Sequence, residues 1–158
     1  MKYNFHKSLG RLTKDVSQLL GQLLELKFKL AGYDISAIEW VVLVYLNRSG
    51  PMSQSQLAEF SGKDKVYIKR VVDRMIKATL LRRKASKTDK RYNLIYLTTN
   101  GKRTFDALEK IAGEVIEITM QGQSEEEIYQ CLRMLDIFQH NIEDEIGRLI
   151  KSYTKRPN

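Results

Sequence analysis

Residues 53–103 read SQSQLAEFSGKDKVYIKRVVDRMIKATLLRRKASKTDKRYNLIYLTTNGKR, and the rest of the chain is arranged around them. Ser53 with Gln56 three positions on fits a capping box, and Leu57, Ala58 and Phe60 give the short helix that follows an apolar side. Ser61 and Gly62 break it. Asp64 is placed to cap a second helix, in which Ile68, Val71, Val72, Met75 and Ile76 recur at the spacing of one buried stripe. The opposite face carries Lys65, Val66, Tyr67, Lys69, Arg70, Arg74 and Lys77. Two helices joined by so short a turn, the second amphipathic with its cations outward, predict a helix-turn-helix whose second helix enters a major groove.

A hairpin is expected next. Residues 80–84 and 94–97 are rich enough in branched and aromatic side chains for strands, and the polar, basic segment 85–93 between them includes Lys87, Lys90 and Arg91. So long and cationic a loop closes a hairpin loosely but can reach a phosphate or a narrow minor groove, which is the work of a wing. Residues 63–103 hold 14 Lys and Arg against three acids, Asp64, Asp73 and Asp89, a net of +11 in a chain whose total is +8. Cation concentrated to this degree calls for an anionic partner, and duplex DNA, with a phosphate about every 1.7 Å of its axis, fits.

These residues resemble the MarR (multiple antibiotic resistance regulator) family of winged helix-turn-helix proteins. The resemblance rests on Ser53-Gln54-Ser55-Gln56-Leu57-Ala58 in the first helix, Val71-Val72-Asp73-Arg74-Met75 in the recognition helix, Asp89-Lys90-Arg91 at the wing, and Leu97-Thr98 with Gly101 leading into the next helix. It implies a mainly α fold with a small β-hairpin wing, in which residues 36–103 form the DNA-binding lobe and residues 5–32 and 104–153 a helical dimerisation scaffold. It also implies a repressor that binds an inverted-repeat operator as a homodimer and is released by a small-molecule effector. Arg91 would enter the minor groove, with Asp89 holding the wing loop, and Tyr33, Trp40 and Tyr45 would line an effector pocket. The chain departs from the family at two places: Thr79 stands where a glycine usually ends the recognition helix, and Val66 and Tyr67 stand where small hydroxyl residues are usual, so base preference is not carried over.

The flanks fit one domain of 158 residues. Phe5, Leu9, Leu12, Val16, Leu19, Leu23, Leu26 and Leu30 recur every three or four residues, predicting a helix over 5–31 of about 40 Å whose stripe a small domain cannot cover alone. A second copy of the chain is the simplest cover. Ser36 with Glu39 forms another capping box, opening a helix that Ser49-Gly50-Pro51 closes, and Pro51-Met52 could supply a brief third strand. Thr98 or Asn100 caps the helix after the wing, and Ser124 with Glu127 opens the last one. Residues 104–151 carry 11 acids and four bases, so this part is read as dimerisation scaffold rather than DNA surface.

Chemistry is sparse. His6 and His140 show no metal-ligand spacing with Cys131 or a carboxylate, and the acids Glu125-Glu126-Glu127 are what a helix macrodipole favours in a first turn. No metal site, cofactor or catalytic residue is expected, since no nucleophile, base and orienter come together. Cys131 is read as a buried, inert thiol. A single cysteine, no apolar run long enough to span a bilayer and no secretory h-region predict a cytoplasmic protein without a membrane partner. The alternatives to a sequence-specific regulator are an architectural DNA-binding module and a winged helix serving as a protein-interaction module; the latter would favour a neutral wing.

Overall fold

The computed structural model describes residues 8–85 and 93–154. They fall into two compact units, one ending at Thr119 and one beginning at Met120. The first unit starts with α1 (Leu9–Leu30), capped by Ser8, whose hydroxyl accepts from the Arg11 amide at 3.4 Å. Of the helix read from residue 5, residues 5–7 lie outside the described residues, and α1 is capped at Ser8, whose hydroxyl takes up a first-turn amide that apolar spacing alone does not register. α2 (Ala37–Ser49) opens on the expected capping box: Glu39 Oε2 accepts from the Ser36 amide at 3.0 Å and from its hydroxyl at 2.9 Å. Glu25 of α1 adds a second carboxylate there, accepting from Ala37 N at 2.7 Å, where the positive end of the helix dipole favours it.

Next come β1 (Met52–Ser53), α3 (Gln54–Ser61), α4 (Lys65–Lys77), β2 (Leu81–Ala85), β3 (Asn93–Leu97) and α5 (Thr99–Thr119). The three strands form an antiparallel sheet in the order β1-β3-β2, with Ile95 between Met52 and Arg83. The third strand is thus Met52–Ser53 rather than 51–52, since Pro51 has no N–H to give a ladder. The hairpin strand begins at Leu81 rather than residue 80, because the Leu80 amide is spent on the Met75 carbonyl in closing α4. Leu43, Leu57, Ile68, Val72, Met75, Ile95 and Leu108 are fully buried in a single core with Phe28 of α1. The helix-turn-helix, the hairpin, α1 and α5 therefore share one apolar interior.

One backbone feature marks the exit of α4. Thr79 has φ of +60°, the left-handed conformation that a β-branched side chain disfavours, at the position where a glycine would be at ease. Its hydroxyl accepts from Asn100 Nδ2 at 3.2 Å, and its carbonyl accepts from the Thr98 hydroxyl at 2.6 Å. Thr79→Gly is expected to raise stability by about 0.5 to 1 kcal/mol, the relief of left-handed strain exceeding one exposed hydrogen bond and the added freedom of the unfolded chain. A urea midpoint that falls would show that the Asn100 bond outweighs the strain. Thr98 settles which residue caps α5, for its hydroxyl accepts from the Gly101 amide at 2.9 Å.

The second unit is α6 (Glu125–Thr154), 30 residues opened by Ser124 and Glu127 as expected. The Ser124 backbone N–H and hydroxyl hold the Glu127 carboxyl below its ordinary range. None of its residues is buried within the chain, and Leu132, Leu135, Ile142, Ile146 and Leu149 stand exposed along one stripe. Cys131 is accordingly an exposed free thiol and not the buried one expected, because its neighbours on this helix meet no cover inside the chain. Among the described residues no helix is long and apolar enough to cross a membrane.

Candidate nucleic-acid interface

The turn between α3 and α4 sets the interface. Gly62, in the left-handed conformation, lets the Lys63 amide return to the Ala58 carbonyl at 3.1 Å, and Asp64 Oδ1 then accepts from the Tyr67 amide at 2.8 Å to start α4. Tyr45 of α2 braces the end of α3, its hydroxyl donating to the Phe60 carbonyl at 3.0 Å and its ring stacked on Phe60 at 5.4 Å. With Ile68, Val71, Val72 and Met75 buried, the opposite face of α4 is turned to solvent: Lys65, Val66, Tyr67, Lys69 and Arg70 are all exposed. These five sequence-picked residues stand together on the outer side of the first turns of α4.

Arg74 is oriented otherwise. Its Nη2 lies 2.7 Å from Glu39 Oε2 and 3.3 Å from the Asp34 carbonyl, and the Glu39 side chain is only 3% exposed. Glu39 is thus both the capping-box acid of α2 and the partner of the recognition helix, a buried carboxylate whose charge is met by a guanidinium and two Ser36 donors. The next residue back, Asp73, holds Arg83 of β2 at 2.8 Å. One residue therefore ties α4 to α2 and its neighbour ties α4 to the hairpin. Neither Glu39 nor Arg83 was singled out from the sequence for this role. Arg82 lies 5.4 Å over the Tyr96 ring, and Arg82, Arg83 and Lys84 are all exposed along β2.

Lys87, Asp89, Lys90 and Arg91, read as wing residues, lie outside the described residues. The three aromatics considered for an effector pocket have separate neighbours. Trp40 stacks on Phe105 at 5.3 Å and meets the edge of Phe28 at 5.7 Å, while Tyr45 belongs to the Phe60 brace. Tyr33 lines a cleft of about 510 Å³ with Asp34, Glu39, Arg74, Lys77 and Thr104.

Comparison with known proteins agrees with this architecture. Residues 35–92 match the MarR family model. Two transcriptional repressors of Pseudomonas putida are similar in sequence: IacR, 25% identical over 134 residues that span 85% of this chain and 74% of that protein, and NicR, 26% identical over 65% and 67%. A mutant of E. coli MarR solved with operator DNA superposes with a TM-score of 0.77 at 22% identity, covering 87% of this chain and 98% of that one. Bordetella bronchiseptica BpsR, whose structure is described as a mechanism for regulation of DNA binding by 6-hydroxynicotinic acid, gives 0.77 at 20% identity over 88% and 98%. Residues 35–92 thus carry a MarR-family domain, and the chain has the winged helix-turn-helix fold of the MarR structures it superposes on.

Proposed function

We propose that this protein is a sequence-specific repressor that binds double-stranded DNA as a homodimer on an inverted-repeat operator. The observation that carries the reading is the outward face of α4, where Lys65, Lys69 and Arg70 stand exposed on a helix locked at both flanks by the Glu39–Arg74 and Asp73–Arg83 pairs. A helix so held presents its side chains to base edges in one pose. Lys87, Lys90 and Arg91 are proposed to carry the wing to the adjacent minor groove, with Asp89 supporting the loop. The protein would work in the cytoplasm and carry no catalytic activity.

Homodimerisation is supported by the stripes left exposed on α1 and α6: Leu12, Val16 and Leu19 on the first, Ile142, Ile146 and Leu149 on the second. We assign α1, α5 and α6 to the dimer scaffold and residues 36–103 to the DNA-binding lobe. Sedimentation tests the assembly: a dimer at micromolar concentration is expected, and a monomer would overturn it. Run-off transcription from a promoter overlapping the bound site tests the direction of control, with reduced transcript expected and increased transcript contradicting repression.

Effector release is proposed to act at the cleft beside the Glu39–Arg74 pair. Arg74 and Lys77 would attract a small carboxylic acid, in keeping with the acid named for BpsR, and competition for the Arg74 guanidinium would loosen the tie between α2 and the recognition helix. Such a ligand shifts the dimer only by as much as it prefers one arrangement to the other.

A further inference from the structure

At 100° per residue, Val66, Arg70, Asp73 and Lys77 fall on one ridge of α4, opposite the buried Ile68, Val71, Val72 and Met75. Three of the four are charged, and Asp73 is already occupied by Arg83. Val66 is the exception in chemistry. It is 61% exposed, more than any other apolar residue of this helix, with Lys65, Lys69 and Arg70 around it. A β-branched residue on an open helix surface costs about half a kilocalorie relative to alanine. A single exposed valine is ordinary on a protein surface. This one stands in the second position of the helix that the cap at Asp64 fixes, amid cations that attract phosphate.

The apolar feature of a major groove is the C5-methyl group of thymine. We propose that Val66 is a specificity-determining residue that packs on a thymine methyl. Its position one turn before Arg70 sets the distance between their targets. Residues four apart on a helix have Cβ atoms about 5 to 6 Å apart, and successive bases rise about 3.4 Å, so the thymine lies within two base pairs of the base pair that Arg70 contacts. The proposal rests on the reading of α4 as the major-groove element, and adds to it the identity of one base and the atom that is read.

The test uses the full chain and the duplex that it selects from a random pool. Each thymine of the half-site is replaced in turn by deoxyuridine, which removes the methyl and leaves every hydrogen-bonding group in place. For the wild type, one position is expected to lose about fourfold in affinity per half-site, the value of one buried methyl group. In Val66→Ala, which places a helix-favouring residue at an exposed position, the penalty at that position should vanish while penalties elsewhere stay as they were. Penalties unchanged by Val66→Ala at every thymine would overturn the proposal while leaving the regulator reading intact. A protein that selects no sequence at all would sink both.

Discussion

Replacing Arg70 by alanine is expected to cost operator affinity about 1 to 3 kcal/mol per half-site while leaving affinity for unrelated duplex within a few fold. Arg70 lies on the ridge of α4 opposite its buried stripe, one turn beyond the capped start, and it is exposed. A guanidinium in that place can bond the O6 and N7 atoms of one guanine at once, and this two-point contact, not its charge alone, discriminates. Loss of charge weakens all duplexes; loss of the fork weakens the operator further. Arg70→Lys separates the two, since it keeps the charge without the planar fork. Fluorescence anisotropy on operator and random duplexes across a salt series reads both quantities. Equal losses on the two duplexes would reduce Arg70 to a phosphate contact.

The second large effect is on the fold. Gly101→Ala is expected to destabilise the protein by about 2 to 4 kcal/mol or to abolish folding, whereas Gly113→Ala on the same helix should stabilise it by about 0.5 to 1 kcal/mol. A Cβ at residue 101 would overlap the Leu80 carbonyl oxygen and press on Leu97 Cδ2 at 3.3 Å, while one at residue 113 would meet nothing within 4 Å. The overlap cannot be relieved cheaply. The Leu80 carbonyl already accepts from the Thr98 amide at 3.0 Å, so α5 is seated on the backbone that leaves the recognition helix. Moving it apart would disturb the very segment that aims α4. Chemical denaturation of the two variants, compared by midpoint and slope, measures the difference; a Gly101→Ala protein as stable as wild type would refute the close approach.

The helix-turn-helix was legible because its signals are local. Capping pairs at Ser53 and Gln56 and at Ser36 and Glu39, the N-cap at Asp64 and the stripe from Ile68 to Met75 each lie within a few turns, and the structure forms all of them. What stayed hidden depends on packing between distant segments. Glu39 could be read as a capping acid from its spacing to Ser36, but its pairing with Arg74 joins residues 35 apart and exists only once α2 and α4 pack. Arg74, grouped with the outward cations by helical periodicity, is 56% exposed, yet its long stem also lets the guanidinium reach the buried carboxylate from the flank of the helix. Ser8 was missed for the opposite reason, since the apolar repeat runs through it while its hydroxyl caps α1. Cys131 reads as buried from its apolar neighbour Leu132 and the lack of adjacent cations other than Arg133, yet α6 buries none of its residues within one chain.

Selection of bound sequences from a random duplex pool, run in parallel with the wild-type protein and with Arg70→Ala, tests the assignment of α4 as the reading element of a symmetric dimer most directly. Two recognition helices related by a two-fold axis should sit about 34 Å apart, so the wild type is expected to enrich an inverted repeat whose half-sites are centred about 10 bp apart. Arg70→Ala should enrich the same repeat with relaxed preference at one base pair in each half. Enrichment of no sequence, of a single unpaired site, or of an identical repeat with no base preference altered by Arg70→Ala would contradict the account.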